Sequence, residues 1–255
     1  MNRLKEIHQR TEGALPALTL VLVSMLSALV AVLGLETWVA IAAALAAMVS
    51  GSQVINREVV IPWRLKSANN AVARLYARTA DGHGQVGSAV QIAPRRWVTA
   101  AHAMPIGATV KLKLGDTWSQ PRVIYRDEEL DLAVMEIDDH WPWLARISLD
   151  LPEPGTLMKV TGWTNGRRDK NNRDRGVRVV QDYTVQGPVE ESLIVLTGAV
   201  PPIGFSGATA ADVVTGKVVG VLSGFSPGRR DPHGLPELDE VHATPLSCIP
   251  AEYLR

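Results

Sequence analysis

From about Ser67 onward the chain reads as an all-β domain, either a barrel or a sandwich, on three observations. Short runs rich in Val, Ile, Thr and Tyr recur along it, clusters of Gly, Pro, Asp and Asn separate them, and helical periodicity is scarce. The runs are AVARLYAR (71–78), GSAVQIA (87–93), RWVTA (96–100), TVKLKL (109–114), RVIYRD (122–127), DLAVMEI (131–137), TLMKVTGW (156–163), VRVVQDYTVQG (177–187), LIVLTG (193–198) and KVVGVLSG (217–224). Each is alternating or apolar and short enough for one strand. No internal repeat stands out. Two stretches, TNGRRDKNNRDRG (164–176) and FSPGRRDPHGLPELDE (225–240), read as exposed loops whose charge is that of a solvated surface.

The segment before this domain has a different texture. Between Ala14 and Val49 the only charged side chain is Glu36. The run ALPALTLVLVSMLSALVAVL (14–33) has 20 residues, enough to cross a hydrocarbon core of about 30 Å as a helix. A second run, WVAIAAALAAMV (38–49), follows the interruption GLET (34–37). One helix through both would be about 50 Å long, too long for an upright span. The first run exceeds the usual apolar length of a cleaved signal peptide and carries Glu6 and Glu12 in its leader. Arg3, Lys5 and Arg10 precede the region and Arg57, Arg64 and Lys66 follow it, while the connector has no Lys or Arg. By the positive-inside rule this favours a helical hairpin with both ends in the cytoplasm; a single span would place the β domain outside, in the periplasm or extracellular space. The expected organisation is therefore a membrane anchor of one or two transmembrane helices plus linker over residues 1–66, and the β domain over 67–255.

Composition narrows the function. With 26 basic and 26 acidic residues the chain lacks the basic footprint of nucleic-acid binding. One cysteine, Cys248, excludes an intramolecular disulfide and reads as a small hydrophobe in the core. His83, His140, His233 and His242 have no metal-ligand spacing with cysteines or carboxylates, so no metal and no cofactor are expected.

Three short segments carry chemistry. In GFSG, Ser206 sits between glycines, which a turn would also contain. In VTAAHAM, His102 follows a strand and is flanked by Ala100, Ala101 and Ala103; in DLAVMEID, Asp131 opens an apolar strand. A histidine at a strand end and an aspartate before a strand each have structural uses. Their occurrence together, in the order His, Asp, Ser, 29 and 75 residues apart, is what sets them apart.

In these segments, and in the GKVVGVLSG that follows, the chain resembles the trypsin-like (chymotrypsin-fold) serine peptidases over roughly residues 70–250. Its spacings suit the compact bacterial branch that includes the high-temperature-requirement proteases. The resemblance implies two six-stranded antiparallel β-barrels, here preceded by the N-terminal transmembrane helix or helical hairpin. It implies that Ser206 is a nucleophile, that His102 takes its proton and returns it to the leaving amine, and that Asp131 holds the imidazole. It also implies that the N–H groups of Gly204 and Ser206 form the oxyanion hole, and that a protein or peptide is the substrate.

Departures from the family pattern are informative. Phe205 stands where digestive members carry the aspartate that pairs with a newly cut N-terminus, so activation by cleavage is not expected. Ala208 replaces the usual second glycine after the serine. Val200 occupies the position of trypsin's basic-selective acid; with Pro201, Pro202 and Ile203 it predicts an apolar specificity pocket. Ser223, Gly224 and Phe225 match the strand on which substrate backbone pairs, Phe225 either narrowing the pocket or packing on its rim. After Pro245 the ten residues LSCIPAEYLR are expected to form a short helix with Pro250 in its first turn and to leave no appended peptide-binding domain. A membrane-anchored serine endopeptidase is the first functional expectation; a catalytically silent, protease-like binding module on the same tether is the alternative, disfavoured because all three roles are filled.

Overall fold

The computed structural model describes residues 61–164, 176–186, 190–227 and 239–254. The apolar runs at 14–33 and 38–49, and with them the expected anchor, lie outside the described residues. Among the described residues no helix is long and apolar enough to cross a membrane.

The described chain opens with helix α1 (Ile61–Asn70), which straddles the boundary expected near residue 66. Seven strands follow: β1 (Val72–Arg78), β2 (Gly84–Ala93), β3 (Arg96–Thr99), β4 (Thr109–Leu114), β5 (Thr117–Ser119), β6 (Arg122–Asp127) and β7 (Leu132–Glu136). They form one antiparallel sheet in the order β5-β4-β1-β2-β3-β7-β6. The next six are β8 (Leu157–Thr164), β9 (Val177–Val185), β10 (Ile194–Gly198), β11 (Thr209–Asp212), β12 (Val218–Ser226) and β13 (Glu240–Pro245). These close into a barrel in the order β10-β13-β12-β11-β8-β9.

The fold is all-β, with one closed six-stranded barrel and one curled half-barrel of seven strands, not two closed barrels. The sheet stays open because its edge strands pair on one side only: β5, three residues long, with β4, and β6 with β7. The expected C-terminal helix is replaced by two single turns, Leu246–Cys248 and Ala251–Tyr253. Pro250 separates them, and the residue before a proline is steered to extended backbone, as Ile249 is (ψ 125°).

Patterning explains the layers. In β4 the alternation of TVKLKL puts Val110, Leu112 and Leu114 inside and Thr109 and Lys111 outside. The concave face of the sheet buries Leu75, Trp97, Leu112 and Met135, and the barrel interior buries Met158, Tyr183, Ile194, Leu196 and Val241. A third cluster lies between the two bodies. Val90, Val98 and Val134 of the sheet meet Val218 and Val221 of the barrel, and Leu65 and Ala68 of α1 with Leu246 and Ile249 complete it. Strands such as β2 are thus buried on both faces, which is why GSAVQIA does not alternate.

Candidate active site

His102 lies in a single 3-10 turn (Ala101–Ala103) just past β3. Ala100, Ala101 and Ala103 are fully buried, so their small size lets the turn sit on the sheet while the imidazole projects outward. Asp131 immediately precedes β7 in the left-handed region (φ 49°), a conformation that Asp tolerates better than most residues. That backbone geometry is held by Ala101 N–H donating to Asp131 O at 3.1 Å. Sheet pairing of β3 with β7 then sets the two side chains beside each other.

The carboxylate of Asp131 contacts His102 at two points. Oδ1 accepts the His102 backbone N–H at 2.8 Å, and Oδ2 lies 2.6 Å from Nδ1. An ionised carboxylate only accepts, so the ring proton resides on Nδ1 and the Nε2 lone pair is left free. Nε2 lies 2.7 Å from Ser206 Oγ, which comes from the barrel side, on the turn before β11. The three residues singled out in the sequence are therefore joined in one hydrogen-bonded chain. His102 and Asp131 keep 44% and 25% side-chain exposure, so the chain opens onto solvent.

The backbone before Ser206 forms a tight turn. Phe205 N–H donates to Pro202 O at 3.1 Å, Gly204 has φ +99° and Ile203 has no positive φ, which together define a type II turn. Glycine is required at that third position. Among the described residues the Gly204 and Ser206 N–H groups donate to no carbonyl, and both residues line the cleft. Gly207 follows with φ +76° and packs so closely that a Cβ would collide with Ser88 O and Thr99 Oγ1.

Ser88, which sequence reasoning passed over, organises this turn. Its hydroxyl accepts Trp163 N–H at 2.8 Å and donates to Gly204 O at 3.3 Å, and its own N–H donates to Ser206 O at 2.8 Å. A lone serine inside the apolar strand GSAVQIA was the available signal, because a fully buried hydroxyl needs partners.

A cleft of about 610 Å³ surrounds His102 and Ser206. Pro201, Pro202, Ile203, Leu222 and Phe225 form an apolar wall, and Ser223 and Gly224 line it as well. Thr79, His83 and Gln85 form a polar side. No carboxylate lines it among the described residues. Val200, the expected pocket floor, is 55% exposed and is not part of the lining; Val86, Phe205 and Leu222 are buried apolar residues inside. Among the described residues no three His, Cys, Asp or Glu side chains are placed to hold a metal ion.

No family model matches the chain, and no curated protein matches it in sequence. Solved structures do match its fold. The Rv3671c protease from M. tuberculosis in its active form superposes with a TM-score of 0.57 at 16% identity, over 72% of this chain and 79% of that one. The serine endoprotease from Yersinia pestis gives 0.55 at 18% identity, over 72% and 62%. The HtrA-type protease AlgW with a decapeptide gives 0.53 at 18% identity, over 72% and 63%. The chain thus shares the trypsin-like fold of HtrA-type serine proteases.

Proposed function

We propose that the protein is a serine endopeptidase carried on a membrane anchor, cleaving polypeptides through an acyl-enzyme. The observation that carries this reading is the chain Ser206 Oγ–Nε2 His102 Nδ1–Oδ2 Asp131, with steps of 2.7 and 2.6 Å. In this mechanism Ser206 Oγ attacks the scissile carbonyl while His102 Nε2 takes its proton. Asp131 stabilises the resulting imidazolium without taking the proton itself. The Gly204 and Ser206 N–H groups receive the oxyanion. Collapse breaks the C–N bond, and His102 protonates the departing amine. Water, deprotonated by the same imidazole, then attacks the acyl ester and frees Ser206.

The apolar wall supports small or medium aliphatic side chains before the cut, because burying a Lys or Arg there without a partner is costly. The stretch of 20 residues from 14 to 33 with its flanking charges supports the anchor, with a hairpin placing the peptidase in the cytoplasm.

Fluorophosphonate labelling of the purified full-length protein tests the activity, with Ser206→Ala as control. Covalent labelling of wild type alone is expected. Absence of labelling, with the fold intact, would leave the silent binding module. Alkaline phosphatase fused after Arg255 tests the topology separately: the hairpin predicts no phosphatase activity, and activity would indicate a single span.

A further inference from the structure

We propose that Thr164 is a positioning residue for the oxyanion turn, its hydroxyl fixing the Ile203–Gly204 peptide so that the Gly204 N–H faces the cleft. The inference rests on the peptidase reading above.

A turn closed by Phe205 N–H to Pro202 O can hold its middle peptide in either of two orientations. Types I and II differ by about a half-rotation of that plane, and type I is the commoner. In the type I orientation the Ile203 carbonyl would take the place of the Gly204 N–H and present negative charge to an incoming oxyanion. A trans peptide points its C=O and N–H in opposite directions, so whatever holds the carbonyl aims the donor.

Thr164 Oγ1 donates to Ile203 O at 2.7 Å. No other donor to that carbonyl occurs among the described residues. Ile203 is 83% exposed, so its side chain does not anchor the plane from that end. Bonds to the flanking carbonyls, Phe205 N–H to Pro202 O and Ser88 Oγ to Gly204 O, are compatible with both orientations. The Thr164 hydroxyl distinguishes them. Its reach follows from the fold: Thr164 is the last residue of β8, and a Cβ on Gly204 would lie 3.2 Å from Thr164 Cα. Glycine at 204 thus admits both the positive φ and the close approach of the strand that carries the tether.

The test compares Thr164→Val, which keeps the shape and removes the hydroxyl, with Thr164→Ser, which restores it, in the full-length protein. The readouts are kcat and KM on a fluorogenic peptide amide with valine before the cut, the affinity of a peptide boronic acid of the same sequence, and melting temperature. Valine is expected to lower kcat by roughly 10- to 100-fold, part of the loss seen when an oxyanion donor is removed outright. KM should stay within about twofold and boronate affinity should fall in parallel with kcat, since only the tetrahedral adduct uses the hole. Serine should recover most of both. Should the valine variant melt early, Thr164→Ala carries the same comparison. Wild-type kcat in the variants lacking the hydroxyl, an unchanged boronate affinity, or a serine variant as impaired as valine would overturn the tether. A wild-type protein inert to fluorophosphonate and to peptides would instead overturn the peptidase reading itself.

Discussion

Asp131 holds His102 by both carboxylate oxygens, one on the backbone N–H at 2.8 Å and one on the ring Nδ1 at 2.6 Å. The grip fixes where the ring is and which nitrogen carries the proton. Asp131→Asn separates these roles. The amide oxygen can keep the backbone bond, but the amide NH₂ donates toward Nδ1 and moves the ring proton to Nε2. We expect kcat to fall by roughly 10⁴-fold with a melting temperature close to wild type. A loss confined to KM would contradict the assignment.

Two neighbouring glycines should fail in different ways. At Gly207 a Cβ would run into the Ser88 carbonyl and the Thr99 hydroxyl, with Ala100 N at 3.1 Å, at φ +76°. Gly207→Ala should destabilise the fold by about 3 kcal/mol or more, read by urea denaturation. At Gly204 a Cβ would meet Trp163 O at 2.9 Å and stand at φ +99°, a strain that rotation of the preceding peptide relieves. Gly204→Ala should therefore lose activity by roughly 100-fold with a smaller change in stability.

The main strands were legible because their patterns are local. β4 coincides with TVKLKL and β6 with RVIYRD, and β1, β3, β7, β8, β10 and β12 shift by one or two residues at their ends. Three strands were not. β5 has three residues, and β11 (TAAD) has no β-branched run. The start of β13 and the end of β12 fell in a stretch read as a charged loop; their order comes from pairing with each other across the barrel. At the site, His102, Asp131 and Ser206 were readable from their local segments. Ser88 and Thr164 were not, because each acts on backbone far away in sequence, 116 and 39 residues off.

Acid stability should depend on Glu136. Its carboxylate lies 2.5 Å from Arg96 Nη1 and also bonds Arg122. The Arg122 hydrogen bond chiefly, with the Arg96 charge, holds it below the usual glutamate range. A depressed folded value means that the contribution is present above the ordinary value of about 4.3 and is lost as pH falls through the folded one. Glu136→Gln should therefore be less stable than wild type at pH 7, with the gap closing below about pH 4. Denaturant midpoints across pH 3–7 would show it, and a gap independent of pH would contradict it.

Cys248 should be a sluggish thiol. Burial, followed by the carboxylates of Asp127 and Glu191, pushes its thiol up, and Sγ donates to Glu191 O at 3.4 Å. At pH 7.5 iodoacetamide should alkylate it more slowly than free cysteine, with full reactivity regained in urea. Equal rates in the folded protein would refute this.

The division of the site between sheet and barrel also orders events at the ribosome. His102 and Asp131 emerge just after β3 and just before β7, and Ser206 follows 75 residues after Asp131. The barrel beneath Ser206 closes only when β13 (Glu240–Pro245) pairs with β10 on one side and β12 on the other. A nascent chain therefore carries the His102–Asp131 pair without Ser206 while the 75 residues that follow Asp131 are made. On the peptidase reading proposed above, any hydrolysis by the young chain waits until that barrel has closed.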